Sequence, residues 1–147
     1  MAKRSGGLGR SAARTFLRAA VWVYRRTGGR VGGKMFGVPV LLLTTTGRRS
    51  GRPWTVPLMY QPVDADGWVL IASNGGSPRH PAWWFNLRSN PDATIQMGRE
   101  VIPVTGTEAT GEDRDRLWRV MTGVYPTYDQ YQTKTSRTIP VVHLRRR

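Results

Sequence analysis

From Leu8 to Thr27 the apolar positions recur at i, i+3 and i+4 spacings: Leu8, Ala12, Phe16, Leu17, Ala20, Val21 and Tyr24 share one face. Arg10, Arg14, Arg18 and Arg25 line the other, which predicts an amphipathic helix over 8–27. Gly28 and Gly29 end it, and Arg25 and Arg26 suit the negative end of the helix dipole. A glycine-rich connector over 28–37 follows, and then the pattern becomes that of strands. Val38–Thr46 is a β-branched and leucine run too apolar for an exposed edge. Trp54–Gln61 and Trp68–Ser73 read as two more strands about the turn Asp64-Ala65-Asp66-Gly67. Ala93–Met97 and Val101–Glu108 read as a hairpin across Gly98-Arg99, and Thr138–Leu144 as a closing strand. Pro81–Ser89 reads as a short helix closed by Asn90-Pro91. Thr110 is placed to cap a helix over Gly111–Val124, with Leu117, Val120, Met121 and Val124 inward. A second short helix begins at Pro126, after a Tyr125 that the proline holds extended.

About six antiparallel strands with helices at the start, middle and near the end predict a mainly β protein with appended helices (α+β). There is no βαβ alternation and no internal repeat, so a small antiparallel barrel fits better than a doubly wound sheet. With 147 residues there is little room for two full domains. The chain divides into a basic helix and connector over 1–37 and a barrel domain over 38–147. The complete absence of cysteine excludes disulfides, thiolate metal sites, iron–sulfur clusters and a cysteine nucleophile.

Charge changes the picture. The formal net charge is +14, and the first 63 residues hold twelve Lys/Arg without one acid. Such asymmetry suggests a polyanionic partner: a nucleic acid, an anionic membrane, or a small ligand with phosphates and carboxylates. Met1, Ala2, Lys3 and Arg4 open as a signal peptide would, but Arg10, Arg14 and Arg18 interrupt any apolar core. The same arginines exclude a transmembrane helix there, so a cytoplasmic protein is expected. The helix over 8–27 has two readings: a surface helix packed on the domain, or a basic helix resting on the inner face of an anionic membrane.

Four segments could carry chemistry. Thr44–Arg52 (TTTGRRSGR) leaves a buried strand and offers three arginines, several hydroxyls and two glycines, which suits an anion or a plain basic turn. Ser73-Asn74-Gly75-Gly76 lets a flat ligand or an anion approach closely, or is simply a loop. Trp83, Trp84 and Phe85 cannot all face one core on a helix. At least one is therefore expected to be exposed or to meet a cofactor or a second subunit. Tyr125, Tyr128 and Tyr131 fan across a helix and offer apolar walls with donor tips. There is no metal constellation around His80 and His143, no nucleophile elbow and no carboxylate pair. Arginine, hydroxyl and aromatic groups together fit a host for a redox cofactor, which carries the hard chemistry itself.

The stretches LLLTTTGRRSGRP (41–53), PLMY (57–60), ASNGG (72–76), PAWWFNLRSNP (81–91) and YPTYDQYQTKTSRTIPVV (125–142) carry a resemblance. With them the chain resembles the deazaflavin-dependent nitroreductase family, the class A reductases that use coenzyme F420 in mycobacteria and related actinobacteria. The resemblance implies a split β-barrel like that of FMN-binding flavoproteins. It implies coenzyme F420 as cofactor, and hydride transfer to a quinone, nitroaromatic or nitroimidazole, or activated enone. Arg48, Arg49 and Ser50 would hold the anionic tail, and Trp54, Thr55, Val56, Pro57, Leu58 and Met59 would follow along the groove. Ile71, Ala72, Ser73 and Asn74 would meet the deazaflavin, with Ala82, Trp83, Trp84, Phe85 and Asn86 flanking it. Ser73, Tyr125, Tyr128 and Tyr131 match the substrate side, with Ser73 and Tyr128 as hydrogen-bonding groups. Some relatives have Lys at Asn74 and Arg at Trp54, so this chain lacks two cations there, for which Arg52 and Arg88 are candidate substitutes. Two alternatives remain: an FMN-dependent split-barrel oxidoreductase, and a basic module that binds nucleic acid or another anion. Monomer and dimer are both compatible with the family.

Overall fold

A computed structural model describes residues 6–147, with side chains from residue 9 onward. Met1 to Arg4 and the side chain of Leu8 lie outside the described residues. In chain order the elements are α1 (Gly6–Thr27), β1 (Lys34–Met35), β2 (Val38–Thr46), β3 (Pro53–Met59), β4 (Gln61–Val63) and β5 (Gly67–Ile71). Then come a 3₁₀ turn (Asn74–Gly76), α2 (Ala82–Ser89), β6 (Asp92–Met97), β7 (Glu100–Glu108), α3 (Gly111–Val124), α4 (Thr127–Lys134) and β8 (Val141–Arg146).

All strand pairs are antiparallel. The run expected as one strand over 54–61 breaks at Tyr60 and changes partner there. Its first part, β3, lies on β2, and its second, β4, lies on β5. Because β2 also pairs β6, β6 pairs β7, β7 pairs β8 and β8 pairs β5, the bent strand closes the sheet into a barrel. Counted as one, β3 and β4 leave six strands in the barrel wall, and the two-residue β1 is an addition from the glycine-rich connector. Beyond the bend β3 and β5 are not paired, so the barrel is split between them and one edge of β3 is left without a strand. Pro57 and Pro62, which have no N–H to offer a ladder, sit on either side of the bend.

Alternation along the strands sorts the core. Leu41 and Leu43 of β2 face the barrel interior with Leu70, Ile95, Val104 and Leu144. Val40 and Leu42 face the other way, onto Val21 and Tyr24 of α1. Val69 and Ile71 of β5 likewise turn out to meet Leu117 and Met121 of α3, Tyr128 of α4 and Ile139. Each fully buried side chain of this kind contributes about 1.5–3 kcal/mol. Tyr24 pins α1: its single O–H is shared between the carbonyls of Val40 and Gln96, at 3.0 and 3.3 Å, and its oxygen accepts from the amide of Gly98.

Two local expectations are revised. Only the C-terminal half of the α1 stripe packs on the barrel; Ala12 and Phe16 are exposed, Phe16 at 77%. Thr110 holds the N-cap position of α3, but its hydroxyl makes no capping bond. The α2 aromatics divide as expected: Trp83 and Trp84 are buried in the main core, while Phe85 is only partly buried and stands outside it.

Candidate active site

The split between β3 and β5 is a groove of about 560 Å³. One wall is β3, with Trp54, Val56, Pro57, Leu58 and Met59. The opposite wall is Ile71 at the end of β5, then Ser73 and Asn74, and the floor is Ala82 and Trp83 at the start of α2. Tyr128 of α4 completes it on the Met59 side. Eleven residues expected from the sequence therefore share one cavity.

Others are placed differently. Ala72 is fully buried, with its amide bonded to the Pro140 carbonyl. Trp84 is core. Thr55 faces away from the groove, where its hydroxyl meets Thr44 at 2.8 Å and receives Arg25 at 3.3 Å. Asn86 is buried behind the site; its Nδ2 donates to Thr45 Oγ1 and its Oδ1 accepts from the Arg48 amide, both at 3.1 Å. Phe85 carries the Arg48 guanidinium over its ring at 4.4 Å.

The arginine segment 47–52 is a tight turn. The Gly47 amide donates to the Arg52 carbonyl at 2.8 Å, and the Gly51 amide to Gly47 at the same distance. Ser50 accepts from the Arg52 amide at 3.1 Å, so its hydroxyl shapes the turn. A Cβ at Gly47 would lie 2.5 Å from that hydroxyl. The turn leaves Arg48, Arg49 and Arg52 exposed and leads straight into β3, so the cations stand at the Trp54 end of the groove.

Of the three tyrosines only Tyr128 lines the groove; Tyr125 and Tyr131 pack against it from outside the lining. Tyr125 and Tyr131 share a hydroxyl–hydroxyl bond of 3.1 Å, which raises the Tyr131 pKa; partial burial adds to the shift. Tyr128 is buried at 3% exposure, edge-on to Tyr125 and Tyr131 at centroid distances of 5.0 and 6.1 Å. Burial, reinforced by the two neighbouring phenols, holds Tyr128 protonated well above the ordinary tyrosine range.

Several site residues escaped the sequence reading. Met35 lines the groove, and Phe36, with φ of 51°, stacks on Tyr125 at 5.4 Å. Both belong to the segment read as a connector. Arg79 and His80 also line the groove. The cation on the wall is thus Arg79, whereas Arg52 stays on its turn and Arg88 lies near Trp84. Both sit in the loop over 74–81 (NGGSPRHP), and without a strand to fix its direction a loop cannot be read face by face.

The sequence profile of the family described as F420H(2)-dependent quinone reductase matches residues 16–146. The chain belongs to this family. An F420H(2)-dependent quinone reductase of Mycobacterium tuberculosis (strain ATCC 25618 / H37Rv) is 43% identical over 129 residues, 85% of this chain and 86% of that one. A solved F420-H2 dependent reductase (FDR-A) is 43% identical, covers 72% of this chain and 93% of its own, and superimposes with a TM-score of 0.66. Another solved relative, described as a domain-swapped dimer, is 39% identical with a TM-score of 0.67 and covers 86% of this chain and 98% of its own. The reductase is therefore an oxidoreductase with coenzyme F420 as cofactor and a split β-barrel fold. The groove's donor set fits that cofactor. Its volume lies in the range of ordinary ligand sites, its walls are mostly apolar, and its open end meets a turn whose exposed cations suit a phosphate and carboxylates. Among the described residues no helix is long and apolar enough to cross a membrane.

Proposed function

We propose that the reductase seats the deazaflavin ring between β3 and the 71–74 wall, with the anionic tail toward Arg48, Arg49 and Arg52, and reduces a quinone-type acceptor held beside Tyr125, Tyr128 and Tyr131. The observation that carries this reading is one apolar groove whose Trp54 wall continues from the exposed arginine turn 48–52 and whose Met59 side is closed by Tyr128, with Tyr125 and Tyr131 packed against that tyrosine. When bound, coenzyme F420 supplies the hydride. The protein's own part is positioning and charge stabilisation. Trp54 and Val56 to Met59 offer an apolar wall, and Trp83 supports the floor. Arg49 is exposed on the turn and contributes long-range attraction to the tail. Tyr128 presents a neutral O–H where negative charge develops on the acceptor, with Ser73 on the facing wall as a second donor. Tyr125 and Phe36 form a stacked aromatic wall that suits a planar acceptor.

The test is a titration of coenzyme F420, with FMN alongside, followed by quenching of tryptophan fluorescence. Menadione is then added to the reduced complex. Binding of F420 that weakens with salt, followed by menadione reduction, is the expected result; preference for FMN would overturn the reading. Arg49→Ala is expected to weaken F420 binding about threefold at low salt and to flatten the salt dependence. An unchanged salt slope would remove Arg49 from the tail contact.

The exposed face of α1 supports a location for the acceptor. Trp22 is 64% exposed, and Arg18, Arg25 and Arg26 surround it on the helix surface. An interfacial indole ringed by guanidiniums suits an anionic bilayer surface. Sedimentation with phosphatidylglycerol vesicles is expected to carry the protein down, and with phosphatidylcholine vesicles not. Trp22→Ser should lower the bound fraction; equal binding to both vesicles would sink the contact.

A further inference from the structure

Arg137, just ahead of β8, falls in the 125–142 stretch but was given no role there, yet it organises the groove's polar wall. Its Nε donates to the Ser77 carbonyl at 2.8 Å and its Nη2 to the Ser73 carbonyl at 2.7 Å. Its Nη1 reaches the Ala72 carbonyl at 3.3 Å and His80 Nδ1 at 3.0 Å. The last contact fixes a protonation state. A guanidinium has only donors, so Nδ1 must accept. The imidazole beside Arg137 is therefore neutral, and its single proton sits on Nε2. That N–H has no protein partner among the described residues, while His80 lines the groove. The ring is held edge to face against Phe85 at 5.6 Å, so its orientation is set from two sides.

We propose that His80 is a further ligand-binding residue of the groove, donating Nε2–H to a carbonyl or developing enolate oxygen of the bound ligand, with Arg137 as the positioning residue that fixes its tautomer. A neutral imidazole is a fitting donor for such an oxygen, because it polarises the group without surrendering a proton. No proton transfer is required of it. The inference rests on the groove being the F420 and acceptor site. The oxygen could belong to the deazaflavin or to the quinone, and both present the same chemistry.

The surrounding charges agree. Burial lowers the His80 pKa first, Arg137 and Arg88 lower it further, and Glu108 opposes them weakly. Arg79, the neighbour in sequence, adds no acid. The neutral form is therefore kept to lower pH than in a free histidine, and acid protonation would remove the Nδ1 acceptor and set two cations together.

Two measurements test this. Long-range ¹⁵N NMR of the ligand-free protein should show His80 as the Nε2–H tautomer, and a Nδ1–H tautomer would overturn the proposal. Adding oxidised coenzyme F420, then menadione, should shift the Nε2 resonance at one of the two steps, which names the oxygen's owner. In kinetics, His80→Leu should lose about tenfold in F420 affinity or in kcat/KM for menadione. His80→Gln, which keeps an N–H near the same place, should recover most of it. In Arg137→Gln the acid limb of kcat/KM should move to higher pH, because one depressing cation is gone; Arg137→Lys should keep it near its wild-type position. A His80→Leu protein equal to wild type in both constants would overturn the proposal. Failure of the wild-type protein to bind F420 would instead overturn the assignment of the groove and the proposal with it, and the tautomer measurement on the ligand-free protein distinguishes that outcome from a wrong His80 orientation.

Discussion

Tyr128→Phe is expected to lower menadione turnover about 100-fold while leaving F420 affinity within about twofold, which is the scale of losing one donor at a developing oxyanion. The three tyrosines are not equivalent. Tyr125 and Tyr131 use their hydroxyls on each other. Tyr128 has no hydroxyl partner among the described residues, although its ring is the most buried of the three and lines the groove. Its ring is packed by Trp118, Tyr125 and Tyr131, so phenylalanine would keep the shape and remove only the donor. The raised pKa gives the sign of the pH dependence. The donor form persists as pH rises, so Tyr128 itself should cause no alkaline loss of activity up to about pH 10. Steady-state oxidation of reduced F420, set beside the fluorescence titration, separates turnover from affinity. Equal losses in both would make Tyr128 a wall of the cofactor site and not a donor to the acceptor.

The barrel was legible because its strands carry strong local signals. Val38–Thr46 is an apolar run closed by a glycine-arginine turn, and its bounds are those of β2. Gly111–Val124 likewise matches α3, where helical spacing and first-turn acids agree. The bend at Tyr60 was not legible, because Trp54–Gln61 reads as one extended run, and its change of partner depends on strands far along the chain. That same bend opens the groove, so motifs could name the lining residues without showing the cavity. Asn86 illustrates the limit. The i, i+3 spacing on a helix sets it on one face with Trp83, yet Trp83 reaches the groove and Asn86 turns to the arginine turn. Arg137 was hidden for a similar reason, since its carbonyl partners lie 60 to 65 residues earlier.

Asn86→Ala should damage both stability and cofactor binding, although the residue lies outside the groove. The side chain is 7% exposed and bridges two elements, from α2 to Thr45 on β2 and to the amide of Arg48. Alanine would leave the Thr45 hydroxyl and the Arg48 N–H short of partners in a place water reaches poorly. Unmade bonds of this kind cost about 1–3 kcal/mol each, so a loss of about 3 kcal/mol in total is expected. For a chain of this size that lowers Tm by roughly 6–12 °C. The second effect is functional. Arg48 is held by its backbone on Asn86 and by its guanidinium over Phe85, so freeing the backbone loosens the turn that carries Arg49 and Arg52. F420 affinity should fall in the protein that remains folded, and the loss should be greatest at low salt, where the tail contact contributes most. Asn86→Asp separates the two effects: the carboxylate can still accept from the Arg48 amide but cannot donate to Thr45. It should lose stability and yet retain more F420 affinity than Asn86→Ala at the same fraction folded. Thermal unfolding by circular dichroism, run beside F420 titrations at two salt concentrations, reads both. An Asn86→Ala protein with unchanged Tm would show that water replaces the amide and that the turn holds itself through Gly47, Ser50 and Gly51 alone.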